Sequence, residues 1–175
     1  MNKFKRILRH LWLDTSDAKR AIPPDLMHML TLGVAESERM HTGQIRICVE
    51  ASLPLSYLWR LDASTTIQQL VRQRALMLFG KLGVWDTAHN NGVLVYLQLA
   101  ERAIEIVADR GLSSHVQEQQ WQAMTQRMSA AFVDGQFEDG LTRALGEVTA
   151  LLVHHFAKAE GEVRTNELPD VPVLG

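Results

Sequence analysis

Cysteine is almost absent from this sequence: Cys48 is the only one among 175 residues. An internal disulfide is therefore excluded, and a lone thiol fits a reducing compartment. Long hydrophobic runs are missing too, and none approaches the ~20 residues that a membrane-spanning helix needs. No charge of one sign dominates, since 18 Lys and Arg stand against 20 Asp and Glu. A net charge of −2 supplies no basic field to draw nucleic acid. Prolines are few and fall at 23, 24, 54, 169 and 172, so each marks a boundary.

Several catalytic signatures are also lacking. There is no phosphate-cradling Gly-x4-Gly-Lys-Ser/Thr loop and no Gly-x-Ser-x-Gly elbow. Cys48 lacks the arginine spacing of a thiolate phosphatase and reads as a small packed residue. No Asp-x-Asp pair follows the first strand. A non-enzymatic role is the leading expectation from these absences, with a phosphatase-like hydrolase as the alternative.

What is present is the ordinary apolar and charged balance of one globular domain, at 46% and 22%. Phe4, Ile7, Leu8 and Leu11 recur at helical spacing with Lys3, Lys5, Arg6 and Arg9 between them. That basic interleaving does not match a secretory signal, so the chain is expected in the cytoplasm. Residues 15–20 are polar and read as a linker. Pro23-Pro24 can open a helix over residues 25–40 that Gly43 ends. Residues 44–53 alternate Ile45, Ile47, Val49 and Ala51 with Arg46, Cys48 and Glu50, which predicts a strand.

Thr65 with Gln68 suggests a capping box for a helix over 66–79, with Ile67, Leu70, Val71, Ala75 and Leu78 inward. Residues 93–99 read as a central strand and 102–108 as its hairpin partner. The intervening helix makes the first two strands parallel through a right-handed crossover. Ser114 with Gln117 suggests a further capping box, and two helices follow, the second marked by Phe137 through Phe156. The expected fold is α/β: a small mixed sheet of three to four strands with helices on both faces. Residues 1–20 form a basic amphipathic helix and linker, 21–158 the domain, and 159–175, with Gly161, Pro169 and Pro172, a disordered tail.

The most informative stretch runs from Leu82 to Tyr96 and on into Glu101 to Leu112. Its Asn91-Gly92 before an apolar strand, Arg102 in the turn, and Gly111-Leu112 after the second strand resemble the TPM-domain family. His41 to Ile45 resembles the family's entry into its first strand, and Phe132 to Gly140 its segment between the last two helices. The resemblance spans residues 25 to 157 and is carried by order and spacing. The chain looks like a short bacterial subgroup without signal peptide or membrane anchor. Membership would imply a mixed sheet flanked by helices. Some relatives bind divalent cations through loops at one end of the sheet, some plant relatives are described as acid phosphatases, and others act beside membrane-protein complexes.

Independently, a hairpin brings the end of one strand beside the start of its partner. Asp109 should therefore approach the loop that carries Asp86, Asn90 and Asn91. These four oxygen-bearing side chains would suit Ca2+ or another divalent cation. Equally, Asn-Gly is ordinary turn chemistry and the aspartates are caps. Glu50 should lie at the opposite end of the second strand. His89 reads as an exposed loop residue or a ligand, while His154 and His155 point about 100° apart on a helix. Arg46, Glu50 and Glu105 share one sheet face and must pair if buried. Glu101 and Arg102 are expected to be solvated. The N-terminal segment has two readings: it meets an anionic membrane surface, peripheral at the inner membrane, or it packs on its own domain or a second copy.

Overall fold

The computed structural model describes residues 3–159, 161 and 165–175. Its centre is a four-stranded sheet in the order β3-β2-β1-β4. Strand β1 (Gln44–Glu50) pairs in parallel with β2 (Gly92–Gln98), in register from Gln44↔Gly92 to Glu50↔Gln98. Strand β3 (Ala103–Ala108) pairs antiparallel with β2, setting Val93 opposite Ala108 and Gln98 opposite Ala103. The expected parallel pair and hairpin are both there, as is the placement of Glu50 away from Asn91.

Alternation along the strands sorts side chains to two faces. Ile45, Ile47, Val49, Val93, Val95, Leu97, Ile104 and Ile106 join one buried cluster. Most of that face is covered by α3 (Pro24–Ser37), α7 (Glu118–Val133) and α8 (Phe137–Phe156). They contribute Leu30, Val34, Met128, Phe132, Val148 and Leu152 to it. On the other face Cys48, Leu94, Tyr96 and Val107 meet Leu70, Val71, Ala75 and Leu78. Those come from α5 (Ile67–Lys81), the crossover helix. The short helices α4 (Leu55–Leu58) and α6 (Arg110–Ser113) complete the connections.

Several expectations shift. The expected linker is helix α2 (Thr15–Ala21), because Asp14 caps it. Asp14 Oδ1 accepts from Ser16 N at 2.7 Å, and Asp17 Oδ2 accepts from Asp14 N at 3.0 Å. Ala18 and Ile22 then enter the core, which a solvated linker would not do. The first capping box moves one residue, to Thr66 and Gln69. The second is Gln117 with Gln120, while Ser114 closes α6 by donating to Gly111 O. Strand β1 stops at Glu50, three residues short of the expected end.

The largest correction concerns the tail, which does not behave as disordered over 165–175. Val173–Leu174 form β4, a parallel edge strand beside Cys48 and Val49. Gln44 Oε1 accepts from the amides of Glu167 and Leu168 at 2.9 and 3.0 Å. Arg46 donates to the carbonyls of Pro169 and Val171, and Leu168 is buried. Proline reads as disorder in sequence, but Pro169 and Pro172 both precede β4 and so remove no donor from its ladder. We expect hydrogen exchange at the Leu168 and Gly175 amides to be slowed well beyond that of an exposed peptide. Exchange at the free-peptide rate at both would sink the assignment.

Candidate functional site

The two ends of the sheet carry the chemistry. At the first, β2 begins and β3 finishes. Asn90 takes a left-handed backbone with φ 51°, so it makes the turn that sequence reasoning gave to Asn91-Gly92. Gly111 N donates to Asn90 O at 2.8 Å and Asp109 N to Gly92 O at 2.9 Å, which brings Asp109 beside the loop as expected. Asp109 Oδ1 caps α6 by accepting from Arg110 N at 2.7 Å. Its Oδ2 is buried and accepts no hydrogen bond among the described residues.

The four sequence-selected side chains are not all brought together. Asn90 Oδ1 accepts two bonds from the Arg110 guanidinium, at 3.2 and 2.9 Å. Asn91 is fully buried and turns toward the first strand, its Nδ2 donating to Thr42 Oγ1 at 3.2 Å. Asp86 and His89 are exposed. As they stand, Asn90 already serves a cation of the protein's own. Sequence reasoning missed Arg110, although it adjoins Asp109, and missed Glu167, whose Oε2 accepts from Ala88 N across 79 residues. No local signal could announce the second.

Histidines 154 and 155 acquire a neighbour from elsewhere: His115 stacks on His155 with ring centroids 5.1 Å apart. Desolvation, then His154 and His115, holds the His155 imidazole below its usual range. Among the described residues no three His, Cys, Asp or Glu side chains gather in a metal-holding group.

The polar trio on the α5 face pairs as its burial requires. Arg74 donates to both Glu50 oxygens, and the Tyr96 hydroxyl donates to Glu50 Oε2 at 2.8 Å. Arg72 bridges Glu105 and Ile106 O, and burial pushes the Glu105 carboxyl up while Arg72 opposes it. Cys48 lies between Arg46 and Glu50 on the same face of β1, its thiol pushed up to about 12 by burial and then by Glu50. It therefore stays protonated through neutral pH, and the thiolate is the reactive form. Native protein should resist iodoacetamide at pH 8, and label stoichiometrically once unfolded. Rapid labelling of the folded chain would contradict this.

At the opposite end, where β1 and β2 finish, sits α1 (Lys3–Trp12). Four of its polar side chains reach the domain. Lys3 donates to the Trp59 and Leu61 carbonyls at 3.2 and 2.5 Å. Arg6 and His10 both reach Glu101 Oε1, at 2.9 and 3.1 Å. Leu53 N donates to His10 Nδ1, so Nε2 carries the proton that Glu101 accepts. Arg9 donates to Ala100 O at 2.7 Å. Glu101 is thus paired and largely buried, contrary to the solvated turn expected of it.

Meanwhile Ile7 packs, partly buried, against the α5-side core, and the other four apolar side chains face out. Phe4, Leu8, Leu11 and Trp12 are 66%, 39%, 57% and 82% exposed. At 100° per residue they fill one arc of the helix. An amphipathic helix normally buries such an arc. Here the helix packs on its own domain, as one reading held, yet leaves uncovered the face by which the other reading had it meet a membrane. Exposed Lys5 borders the arc, and Trp59 and Arg60 are exposed beyond α4.

The family model for the TPM domain matches residues 22–151, most of the chain. No curated protein sequence matches it significantly. Among solved structures, the NMR structure of BA42 protein from the psychrophilic bacterium Bizionia argentinensis is similar, with a TM-score of 0.70. Identity is 22%, and the alignment covers 86% of this chain and 93% of that one. At that identity the likeness concerns the fold.

Proposed function

This chain belongs to the TPM-domain family, and from that premise we propose that it is a non-enzymatic accessory protein that rests on an anionic membrane surface through α1. One observation carries the reading: α1 is fastened to the domain by its polar residues and presents its apolar arc outward. At ~1.5 Å per residue this helix is about 15 Å long, half the ~30 Å hydrocarbon core. No helix among the described residues is long and apolar enough to cross a membrane. An outward apolar arc bordered by Lys5 and Arg9 suits a helix lying in the interface, its ring and leucine side chains among the acyl chains. The inner membrane, beside a membrane-protein complex, is the setting this reading implies.

Co-sedimentation with phosphatidylglycerol vesicles tests it. The full chain should pellet with them, and binding should weaken with salt, because screening acts over ~8 Å at physiological ionic strength. Leu8→Glu/Trp12→Glu should abolish binding while leaving the melting temperature nearly unchanged, since both side chains already face water. Indifference of the wild type to anionic vesicles, or equal binding by the variant, would refute the reading. A concentration-dependent dimer lost in the same variant would assign the arc to a second copy instead.

Divalent-cation binding is a second reading, favoured by the buried and unbonded Asp109 Oδ2. A hard cation on Asp109, with Asp86, would require Arg110 to release Asn90. Calcium should then raise the melting temperature by mass action, and Asp109→Asn should remove the rise. No shift at millimolar calcium rejects it. For hydrolysis of a phosphomonoester we expect trace turnover, since no activated nucleophile stands out among the described residues.

A further inference from the structure

We propose that the cavity where α1, α2 and the turn after β2 meet binds the phosphate group of a lipid headgroup. This rests on α1 meeting a membrane and specifies what the protein recognises there. The cavity has a volume of ≈ 880 Å³, large enough for a headgroup and the first part of its chains. Arg9, Arg20 and Arg102 line it from three different segments, with Trp12 and Phe137 among the apolar wall.

Two carboxylates also line the cavity, Asp17 and Glu101. Both are committed. Asp17 accepts from Arg20 at 2.6 Å and from Asp14 N. Glu101 is held by Arg6 and His10 from behind. Arg20 is paired with Asp17 and Arg9 with the Ala100 carbonyl, so three guanidinium groups line the cavity against two carboxylates, an excess of one positive charge. That excess suits an anion, and the planar fork of arginine suits phosphate oxygens.

Arg102 adds a second, independent indication. Its φ is 50°, one of two non-glycine residues in the left-handed region among the described residues. Such backbones concentrate at ligand sites, where the surroundings hold them in place. Asparagine or glycine would make this turn more easily, yet an arginine is there, lining the cavity.

The position agrees with the helix. Arg9 and Trp12 belong both to the cavity wall and to the outward side of α1. A lipid whose chains lie along Phe4, Leu8, Leu11 and Trp12 would set its phosphate among the three guanidiniums.

The test uses the full chain, with phosphatidylcholine vesicles with and without phosphatidylglycerol, and soluble sn-glycerol 3-phosphate as a separate probe. Glycerol phosphate binding is followed by the Trp12 indole N–H resonance. Arg102→Gly removes a guanidinium where glycine suits the backbone, so the fold should survive it. Arg20→Gln/Arg102→Gly should lose the saturable Trp12 shift and bind phosphatidylglycerol vesicles on the order of tenfold more weakly. Lys5→Gln/Arg60→Gln removes the same charge outside the cavity, and should keep the Trp12 shift.

No saturable shift in the wild type overturns the site, whatever the vesicles do. Equal loss of vesicle binding in both double variants, with the shift retained in both, also overturns it, because charge alone would then explain the attraction. A saturable shift, lost in Arg20→Gln/Arg102→Gly, without any vesicle binding would refute the membrane reading and assign the cavity to soluble phosphate esters.

Discussion

Gly92→Ala should unfold the protein or leave it severely destabilised, by about 3 kcal/mol or more. A Cβ at position 92 would stand 1.9 Å from the Val84 carbonyl oxygen and 3.0 Å from its carbon. Those are backbone atoms, so no rotamer change relieves the overlap. The loop over 84–91 and the first residue of β2 would have to separate. That gap would loosen the Gly92–Gln44 register at the start of the central parallel pair. Gly80→Ala is the matched control. Position 80 lies in the last turn of α5 with nothing within 4 Å of its would-be Cβ. There the change should stabilise by about 0.5–1 kcal/mol, as alanine exceeds glycine in helix propensity. Chemical denaturation of the two variants gives the comparison. Similar midpoints would refute the close-approach argument.

Glu50→Ala should cost about 3 kcal/mol of folding stability. Glu50 is nearly buried, at 7% exposure, and holds two groups that have few alternatives. Arg74, 14% exposed by side chain, loses its carboxylate, and the Tyr96 hydroxyl loses its acceptor inside the sheet. The pairing holds the guanidinium charged above its ordinary range, the hydrogen bond to Glu50 acting first. Burial, and then Glu50, holds the Tyr96 hydroxyl above its own. An unpaired buried charge accounts for most of the cost, so removing both partners should recover much of it. Glu50→Met/Arg74→Met is expected to be clearly more stable than Glu50→Ala. Additive losses in the two single variants and the pair would show that the contact contributes nothing of its own.

Periodicity and turn chemistry make most of the architecture legible in the amino-acid order. The alternation of 44–50, the apolar run of 93–98 and the short turn after it specify two parallel strands and a hairpin, because strand direction follows from connection length. The inward stripe Ile67, Leu70, Val71, Ala75 and Leu78 is readable from spacing alone, and all five are buried. Family membership is legible in the order of Asn91-Gly92, Arg102 and Gly111-Leu112.

Other features depend on residues far apart in the chain. The tail looks disordered in isolation, yet Gln44 and Arg46 supply the partners its backbone needs from more than 120 residues away. The polar segment over 15–20 becomes a helix once Ala18 has a core to enter. Asp86, Asn90, Asn91 and Asp109 can be placed at one end of the sheet from topology, but Arg110 and Thr42 decide which way the two asparagine side chains turn. Local period and connection length thus suffice for the strands, their directions and the buried stripes. They do not suffice for the face of α1 that meets the domain, which packing alone selects. Both its basic and its apolar residues could have packed there. The carbonyls of Trp59, Leu61 and Ala100 and the carboxylate of Glu101 take the basic ones. Acceptors partly shielded from water need donors, and Phe4, Leu8, Leu11 and Trp12 have none to offer in their side chains but the Trp12 indole, so they are left facing out while Ile7 alone of the apolar residues packs inward.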